Sequence, residues 1–146
     1  MEYSEVEILL VEDDIDDAEM TMHAMRKFNL ANKLIHATDG EEALDFLFGK
    51  GKFTGRDVNL KPRIILLDLK MPKINGIEVL ERVKSNNATK KIPVVILTSS
   101  KEDPDVSRCY ELGANGYIVK PVEFDGFIKA VSELGMYWML LNHAPA

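Results

Sequence analysis

Short apolar segments alternate along the chain with longer stretches in which apolar residues recur every three to four positions. The short segments are rich in Val, Ile and Leu and scarcely alternate with polar residues. That pattern is typical of parallel strands that are covered on both faces. It predicts five strands: Ile8–Val11, Leu34–Ala37, Ile64–Leu67, Val94–Leu97 and Tyr117–Val119.

The longer stretches are amphipathic and predict five helices. They cover residues 16–28, 41–48, 77–84 and 105–112, and a fifth helix begins near residue 123. Asp39-Gly40 and Asn75-Gly76 precede two of them, and Pro104 lies just ahead of another, as expected where helices begin. Five strand–helix units in strict alternation predict an α/β fold, a parallel sheet with helices on both faces.

Composition excludes several classes of function but does not identify one. The 146 residues fit one domain, which leaves no room for an additional sensor, kinase or DNA-binding domain. The net charge of −6 argues against nucleic acid as the main partner, because phosphate backbones require clustered Lys and Arg. One cysteine excludes a disulfide framework and a Cys-rich zinc site. The N-terminus lacks the features of a signal peptide or a membrane span, so we expect a cytoplasmic protein with no membrane contact.

Polar residues follow four of the five predicted strands. The carboxyl ends of parallel strands meet at one edge of the sheet, where ligands of such folds bind. Clustered carboxylates repel each other unless a cation offsets them, and oxygen ligands of this kind suit Mg²⁺. A metal beside a carboxylate, a hydroxyl and an ammonium group suits phosphoryl transfer. The residues concerned are Glu12, Asp13, Asp14, Asp68, Thr98, Ser99, Ser100 and Lys120.

Four segments together resemble one known family. The segments ILLVEDD, IILLDLKMP, VVILTSS and YIVKP are similar to the receiver domains of two-component response regulators, and the resemblance covers residues 5–136. It implies a flavodoxin-like (CheY-like) sheet of five parallel strands in the order 2-1-3-4-5, with a C-terminal helix extension.

The resemblance also implies a phosphoacceptor and a metal site. Asp68 would be the aspartate that is phosphorylated. Glu12, Asp13, Asp68 and the backbone carbonyl of Lys70 would hold Mg²⁺. Glu12 stands where the family more often has Asp, which is a conservative variant.

Three further residues take roles from the same resemblance. Thr98 and Lys120 would bind the phosphoryl group, with Lys120 paired to Asp68 or to its phosphoryl oxygens. The Lys120–Pro121 peptide bond would be cis. Thr98 and Tyr117 would form the conformational switch that responds to phosphorylation.

A narrower resemblance concerns the partner. The stretch LGANGYIVKPVEFDGF and the tail YWMLLN are similar to single-domain response regulators that partner bacterial phytochrome histidine kinases. This implies that a sensor histidine kinase phosphorylates Asp68 and that the face of helix four, strand five and helix five then changes. Such a protein assists its own phosphorylation and dephosphorylation but is not a turnover enzyme on outside substrates.

An apolar stripe at helical spacing continues past the predicted receiver core. The segment 137–146 lies beyond that core and has little left to cover, and large exposed apolar groups usually mark an interface. We therefore predict a two-fold homodimer built by helix five and this tail. Gly135 could instead make the tail an extended arm. The predicted dimer residues are Phe127, Val131, Leu134, Tyr137, Trp138 and Leu141.

Other functions remain open. A phosphorelay intermediate, a phosphate sink and a receiver-like adaptor that is never phosphorylated share the fold. A phosphatase of the haloacid dehalogenase type would need an acid where Lys70 stands, and an FMN carrier would not place acidic residues after strand one. Asp16 and Asp17 are interpreted as helix-capping residues, Cys109 as a packed residue of helix four, and residues 49–61 as an exposed loop.

Overall fold

The computed structural model describes residues 7–27, 34–100 and 102–135. No helix within these ranges is long and apolar enough to cross a membrane. A single turn of 3₁₀ helix, Gly51–Phe53, follows the second helix. In chain order the strands and helices are β1 Ile8–Val11, α1 Ile15–Lys27, β2 Leu34–Ala37, α2 Gly40–Phe48, β3 Ile64–Asp68, α3 Gly76–Ser85, β4 Val94–Thr98, α4 Pro104–Glu111, β5 Gly116–Val119 and α5 Phe124–Glu133.

The five strands form one parallel sheet in the order β2-β1-β3-β4-β5, which confirms the predicted topology. The register aligns the strand ends that carry the polar residues. Val11 of β1 pairs with Leu67 of β3, and Thr98 of β4 pairs with Val119 of β5. The residues that follow these strands therefore meet at one edge of the sheet.

Successive strand residues point into two separate apolar cores. Leu9 and Val11 face the core that is covered by α2, α3 and α4. Ile8 and Leu10 face the core that is covered by α1 and α5. Because both faces are buried, every residue of β1 is apolar, and the sequence of the strand shows no alternation. Each fully buried large side chain contributes roughly 1.5–3 kcal/mol of hydrophobic stabilisation.

Helix α5 requires a correction of the dimer prediction. Phe127 and Val131 have 0% of their surface exposed and pack in the core beneath α5. They are therefore not available to a second chain, because the apolar face of α5 already covers its own sheet. Leu134 is partly buried and packs against the same core. The other predicted dimer residues, Tyr137, Trp138 and Leu141, lie outside the described residues.

The connection between α2 and β3 is more closely held than its sequence predicts. Phe53 is buried, and its ring meets that of Phe46 edge-on, with centroids 5.1 Å apart. The guanidinium carbon of Arg56 lies 3.9 Å from the Phe46 ring centroid, and its Nε donates to the Phe46 carbonyl at 2.7 Å. Arg56 Nη1 also donates to the Leu60 carbonyl at 2.9 Å. These contacts fasten an otherwise mostly exposed loop to the end of α2.

Cys109 is fully buried on the inner face of α4, as predicted. Burial, together with nearby Asp105 and Asp103, raises the pKa of its thiol to about 11. We expect iodoacetamide to alkylate the native protein slowly at mildly alkaline pH and the denatured protein rapidly. In the folded protein the reagent cannot reach the Cys109 thiol, and the thiol is not ionised to the reactive thiolate. The chain has one cysteine, so intact mass reports this residue alone. Equal rates in native and denatured protein would contradict its burial.

Candidate functional site

Three carboxylates converge at the carboxyl edge of the sheet. Glu12 and Asp13 follow β1, and Asp68 is the last residue of β3. One carboxylate oxygen of each lies within 4.8 Å of the others. Glu12 is 1% exposed and Asp68 5% exposed, whereas Asp13 faces solvent. The pairing of Val11 with Leu67 produces this arrangement, because Glu12 and Asp68 are the next residues along neighbouring strands.

Lys120 supplies the positive charge of the site. It follows β5, and its backbone N–H donates to the Thr98 carbonyl at 2.7 Å. Its Nζ lies 2.8 Å from Glu12 Oε1, 3.1 Å from Asp68 Oδ1 and 3.2 Å from Asp17 Oδ2. The Lys120–Pro121 bond is cis, as the family resemblance implied. An ammonium group has three N–H donors, so each carboxylate can receive one of them.

The charged groups of this cluster shift one another's pKa values. Burial raises the pKa of Glu12 to about 7, the hydrogen bond from Lys120 acts against that rise, and Asp68 adds to it. Burial lowers the pKa of Lys120, but its contacts with Glu12 and Asp68 outweigh burial and raise it. Lys120 therefore stays charged near neutral pH, whereas Glu12 exchanges its proton there. Because the pKa of Glu12 is higher in the folded protein than in the unfolded chain, its contribution to folding stability is lost as the pH rises from 4.5 to about 7.

The donor set fits a divalent cation. The acidic cluster of Glu12, Asp13 and Asp68 offers three hard carboxylate oxygens, and Asp13 leaves one side open to water. Burial is the main cause of the raised pKa of Glu12, and a cation there would offset the negative charge of Asp68, which adds to it. The Lys70 side chain lies over the neighbouring loop, with Nζ 3.8 Å from Asp103 Oδ2. A ligand role for the Lys70 carbonyl stays a prediction.

Gly76 fixes the backbone behind Asp68. Its N–H donates to the Leu69 carbonyl at 3.0 Å, which draws the start of α3 onto the end of β3. A Cβ atom at this position would lie 2.6 Å from Leu69 Cα and closer still to the Asp68 carbonyl oxygen. Only glycine allows so close an approach. Asn75 caps α3 by accepting from the Glu78 N–H at 3.0 Å, so the Asn75-Gly76 pair both starts the helix and supports the site.

Thr98 and Tyr117 occupy different surroundings. Thr98 is buried at the end of β4, and its hydroxyl donates to the Ser100 carbonyl at 3.0 Å. Tyr117 of β5 is 36% exposed and meets Tyr110 of α4 edge-on, with ring centroids 6.5 Å apart. Thr98 thus lies beside the acidic cluster along the sheet edge, and Tyr117 lies on the surface shared by α4, β5 and α5.

Sequence reasoning missed two contacts of the site. Asp14, rather than Asp16 or Asp17, caps α1, because Asp14 Oδ1 accepts from the Asp17 N–H at 3.0 Å. The Asp17 carboxylate instead reaches Lys120. The sequence did offer one signal for this contact, which is the position of Asp17 three residues after the cap residue Asp14. His36, which received no role, places Nε2 at 2.8 Å from the Glu12 carbonyl oxygen. No pattern in the sequence of β2 predicts this contact with the Glu12 carbonyl.

Comparison with known proteins agrees with this geometry. The family model for the response regulator receiver domain matches residues 8–132. The response regulator Rcp1 of Synechocystis sp. is 36% identical over 139 residues, which are 95% of this chain and 92% of Rcp1. A Mn²⁺-bound structure of Rcp1 has a TM-score of 0.73 at 34% identity and covers 97% of this chain and 99% of its own.

Two further solved structures are similar to this chain along nearly its whole length. The bacteriophytochrome response regulator AtBRR has a TM-score of 0.85 at 50% identity, covering 95% of this chain and 99% of AtBRR. The phosphorylated cyanobacterial phytochrome response regulator RcpA has a TM-score of 0.74 at 31% identity, covering 97% of each chain. The chain therefore belongs to the response regulator receiver domain family and is similar to the response regulators of bacterial phytochromes.

Proposed function

We propose that the protein is a phosphorylation-dependent switch in which Asp68 accepts a phosphoryl group from a sensor histidine kinase, with Mg²⁺ as the cation. The observation that carries this is the position of Asp68. Its carboxylate belongs to the acidic cluster and lies 3.1 Å from the Lys120 ammonium. A nucleophilic oxygen, hard ligands for a cation and a positive group for phosphoryl oxygens thus share one edge of the sheet.

The transfer balances with the groups that the site provides. An oxygen of Asp68 attacks phosphorus, the phosphorus–nitrogen bond of the kinase phosphohistidine breaks, and the imidazole nitrogen keeps the electron pair and takes a proton from solvent. Mg²⁺ held by Glu12, Asp13 and Asp68 would neutralise negative charge on the phosphoryl oxygens. Lys120 donates to one of those oxygens, and the Thr98 hydroxyl binds another after leaving the Ser100 carbonyl.

The output surface follows from the same residues. Lys120 and Thr98 are linked through the backbone, and Thr98 moves toward the phosphoryl group. Tyr117 lies on the next strand and turns inward as Thr98 withdraws from the loop. The face of α4, β5 and α5 thereby shifts between two states, biased by a local change of charge.

The partner is proposed from the relatives. AtBRR and RcpA are phytochrome response regulators by name, and the likeness spans nearly the whole chain, so a phytochrome histidine kinase is the proposed donor. We place the protein in the cytoplasm, where such kinases present their phosphohistidine. It would assist its own phosphorylation and dephosphorylation without turning over an outside substrate. Homodimerisation through Tyr137, Trp138 and Leu141 stays a prediction.

The decisive experiment is phosphorylation by a small donor. With acetyl phosphate and Mg²⁺, we expect one phosphoryl group per chain by intact mass, stable in acid and labile in base. Chelation of the metal with EDTA should abolish the adduct, because the carboxylates would then repel the anionic donor. Potassium chloride at equal ionic strength controls for charge screening. No adduct with Mg²⁺, or an equal yield in EDTA, would overturn the proposal.

The donor is tested separately. A phosphorylated bacteriophytochrome kinase should transfer its label to this protein faster than an unrelated phosphorylated histidine kinase at the same concentration. Equal transfer rates would remove the phytochrome assignment and leave the phosphoacceptor function unaffected.

A further inference from the structure

We propose that Asp17 is a positioning residue, which holds the Lys120 ammonium in place for the phosphorylation of Asp68. This role rests on the proposed function of Asp68. The geometry behind it is a three-point contact in which Lys120 Nζ lies within 3.2 Å of oxygens on Glu12, Asp68 and Asp17.

The start of α1 explains why the Asp17 carboxylate is available to Lys120. An acid three residues after a helix cap commonly turns back to accept the N–H of the cap residue. Here the Asp14 N–H already donates to Glu12 Oε2 at 3.3 Å. Asp14 also caps the helix by accepting the Asp17 N–H, so the backbone of Asp17 is fixed while its side chain reaches the sheet edge.

The lysine needs such an anchor. Its side chain is long and flexible, and an ammonium group is a point charge without the fixed geometry of a guanidinium. Glu12 and Asp68 lie on the sheet edge, whereas Asp17 comes from α1, so the three carboxylates contact the ammonium from two different elements. The third contact restricts Nζ to the position from which it can donate to Asp68 or to an incoming phosphoryl oxygen.

Of the three contacts to Lys120, the one with Asp17 is the weakest, because Asp17 is the most exposed to solvent. The Asp17 side chain is 41% exposed, compared with 1% for Glu12 and 7% for Asp68. Solvent screens an ion pair of this kind, so its loss should alter the rate moderately. Asp17 tunes the position of Lys120 and does not replace Glu12 or Asp68 as its partner.

Asp16 provides a matched control. It lies in the same first turn of α1, carries the same charge and is exposed. Both residues therefore make a similar contribution to net charge and to the helix dipole. Among the described residues, Asp17 differs from Asp16 in its contact with Lys120.

The test compares phosphorylation rates with acetyl phosphate at saturating Mg²⁺. Asp17→Ala should slow the reaction by about three- to fivefold, the size expected for one partly exposed ion pair. Asp16→Ala should leave the rate nearly unchanged, and Asp17→Glu should recover part of the loss. In a Lys120→Ala background, Asp17→Ala should have no further effect, because the residue acts through the lysine.

The outcomes separate this role from a structural one. Equal slowing by Asp17→Ala and Asp16→Ala, or an undiminished effect of Asp17→Ala without Lys120, would overturn the inference. If the wild type acquires no phosphoryl group, the proposed function fails. The contact between Asp17 and Lys120 is then tested by double-mutant cycles on the free energy of unfolding. The coupling energy between positions 17 and 120 is compared with that between positions 16 and 120. No excess coupling would overturn the positioning role as well.

Discussion

Replacing Asp68 by Asn should abolish phosphorylation by acetyl phosphate and by the kinase, with a rate lower by on the order of a thousandfold or more, as for loss of a nucleophile. The amide has no anionic oxygen with which to attack phosphorus. It also offers the cation one neutral oxygen in place of a carboxylate. Lys120 keeps Glu12 and Asp17 as partners, so we expect the fold to persist. Intact mass of wild type and variant after identical treatment measures the effect.

The control for Asp68→Asn is Asp16→Asn. This substitution removes the same charge from an exposed residue at the same edge of the molecule and should leave the yield of the adduct unchanged. If Asp68→Asn still gains a phosphoryl group at the level of the wild type, the acceptor is another residue, and the proposed chemistry is wrong.

Lys120→Ala should lower the free energy of unfolding by about 2–3 kcal/mol in EDTA at neutral pH. Removing one partner of a buried ion pair costs roughly 3–5 kcal/mol, and some solvent access at Lys120 reduces this. The variant leaves the carboxyl groups of Glu12 and Asp68 buried side by side with no cation to offset their negative charge. Denaturation with urea measures the difference from the wild type.

Mg²⁺ should reverse most of this loss, and mildly alkaline pH should deepen it. A divalent cation takes over the role of the ammonium between the carboxylates. Lys120 holds down the pKa of Glu12, so the pKa rises above about 7 when the lysine is absent. Glu12 therefore stays protonated to a higher pH in the variant than in the wild type, and the deficit grows as the pH rises above about 7.

The control for Lys120→Ala is Lys91→Ala, which removes a lysine from an exposed position outside the site. It should change stability little under any of these conditions. A deficit in Lys120→Ala that is the same with and without Mg²⁺, and the same below and above pH 7, would show that charge repulsion at Glu12 is not its cause.

The fold could be predicted well because burial on both faces leaves a clear signature. The apolar runs of β1 and β2 begin and end where the structure has them, and the other strands differ by one residue. The strand-end residues followed from the topology, since a parallel sheet brings its carboxyl ends together. Hence Glu12, Asp13, Asp68 and Lys120 could be expected to meet before any distance was known.

The contacts that were missed depend on tertiary geometry. Whether Asp17 caps α1 or reaches Lys120 depends on the residue at which the helix begins, and one turn contains several acids. The stacking of Arg56 on Phe46 joins residues ten positions apart in an irregular loop. Periodicity showed that α5 has an apolar stripe with Phe127 in it, but not that the sheet of the same chain covers that residue.

Gly76 bears on how inactive variants found in a genetic screen should be interpreted. A Cβ atom there would press on the backbone of Asp68 and Leu69, and its three nearest neighbours are all backbone atoms. A variant at this position could thus lose signalling while every reactive group is still present. Mapping chemistry from loss-of-function alleles alone would wrongly assign a catalytic role to a residue that has no side chain.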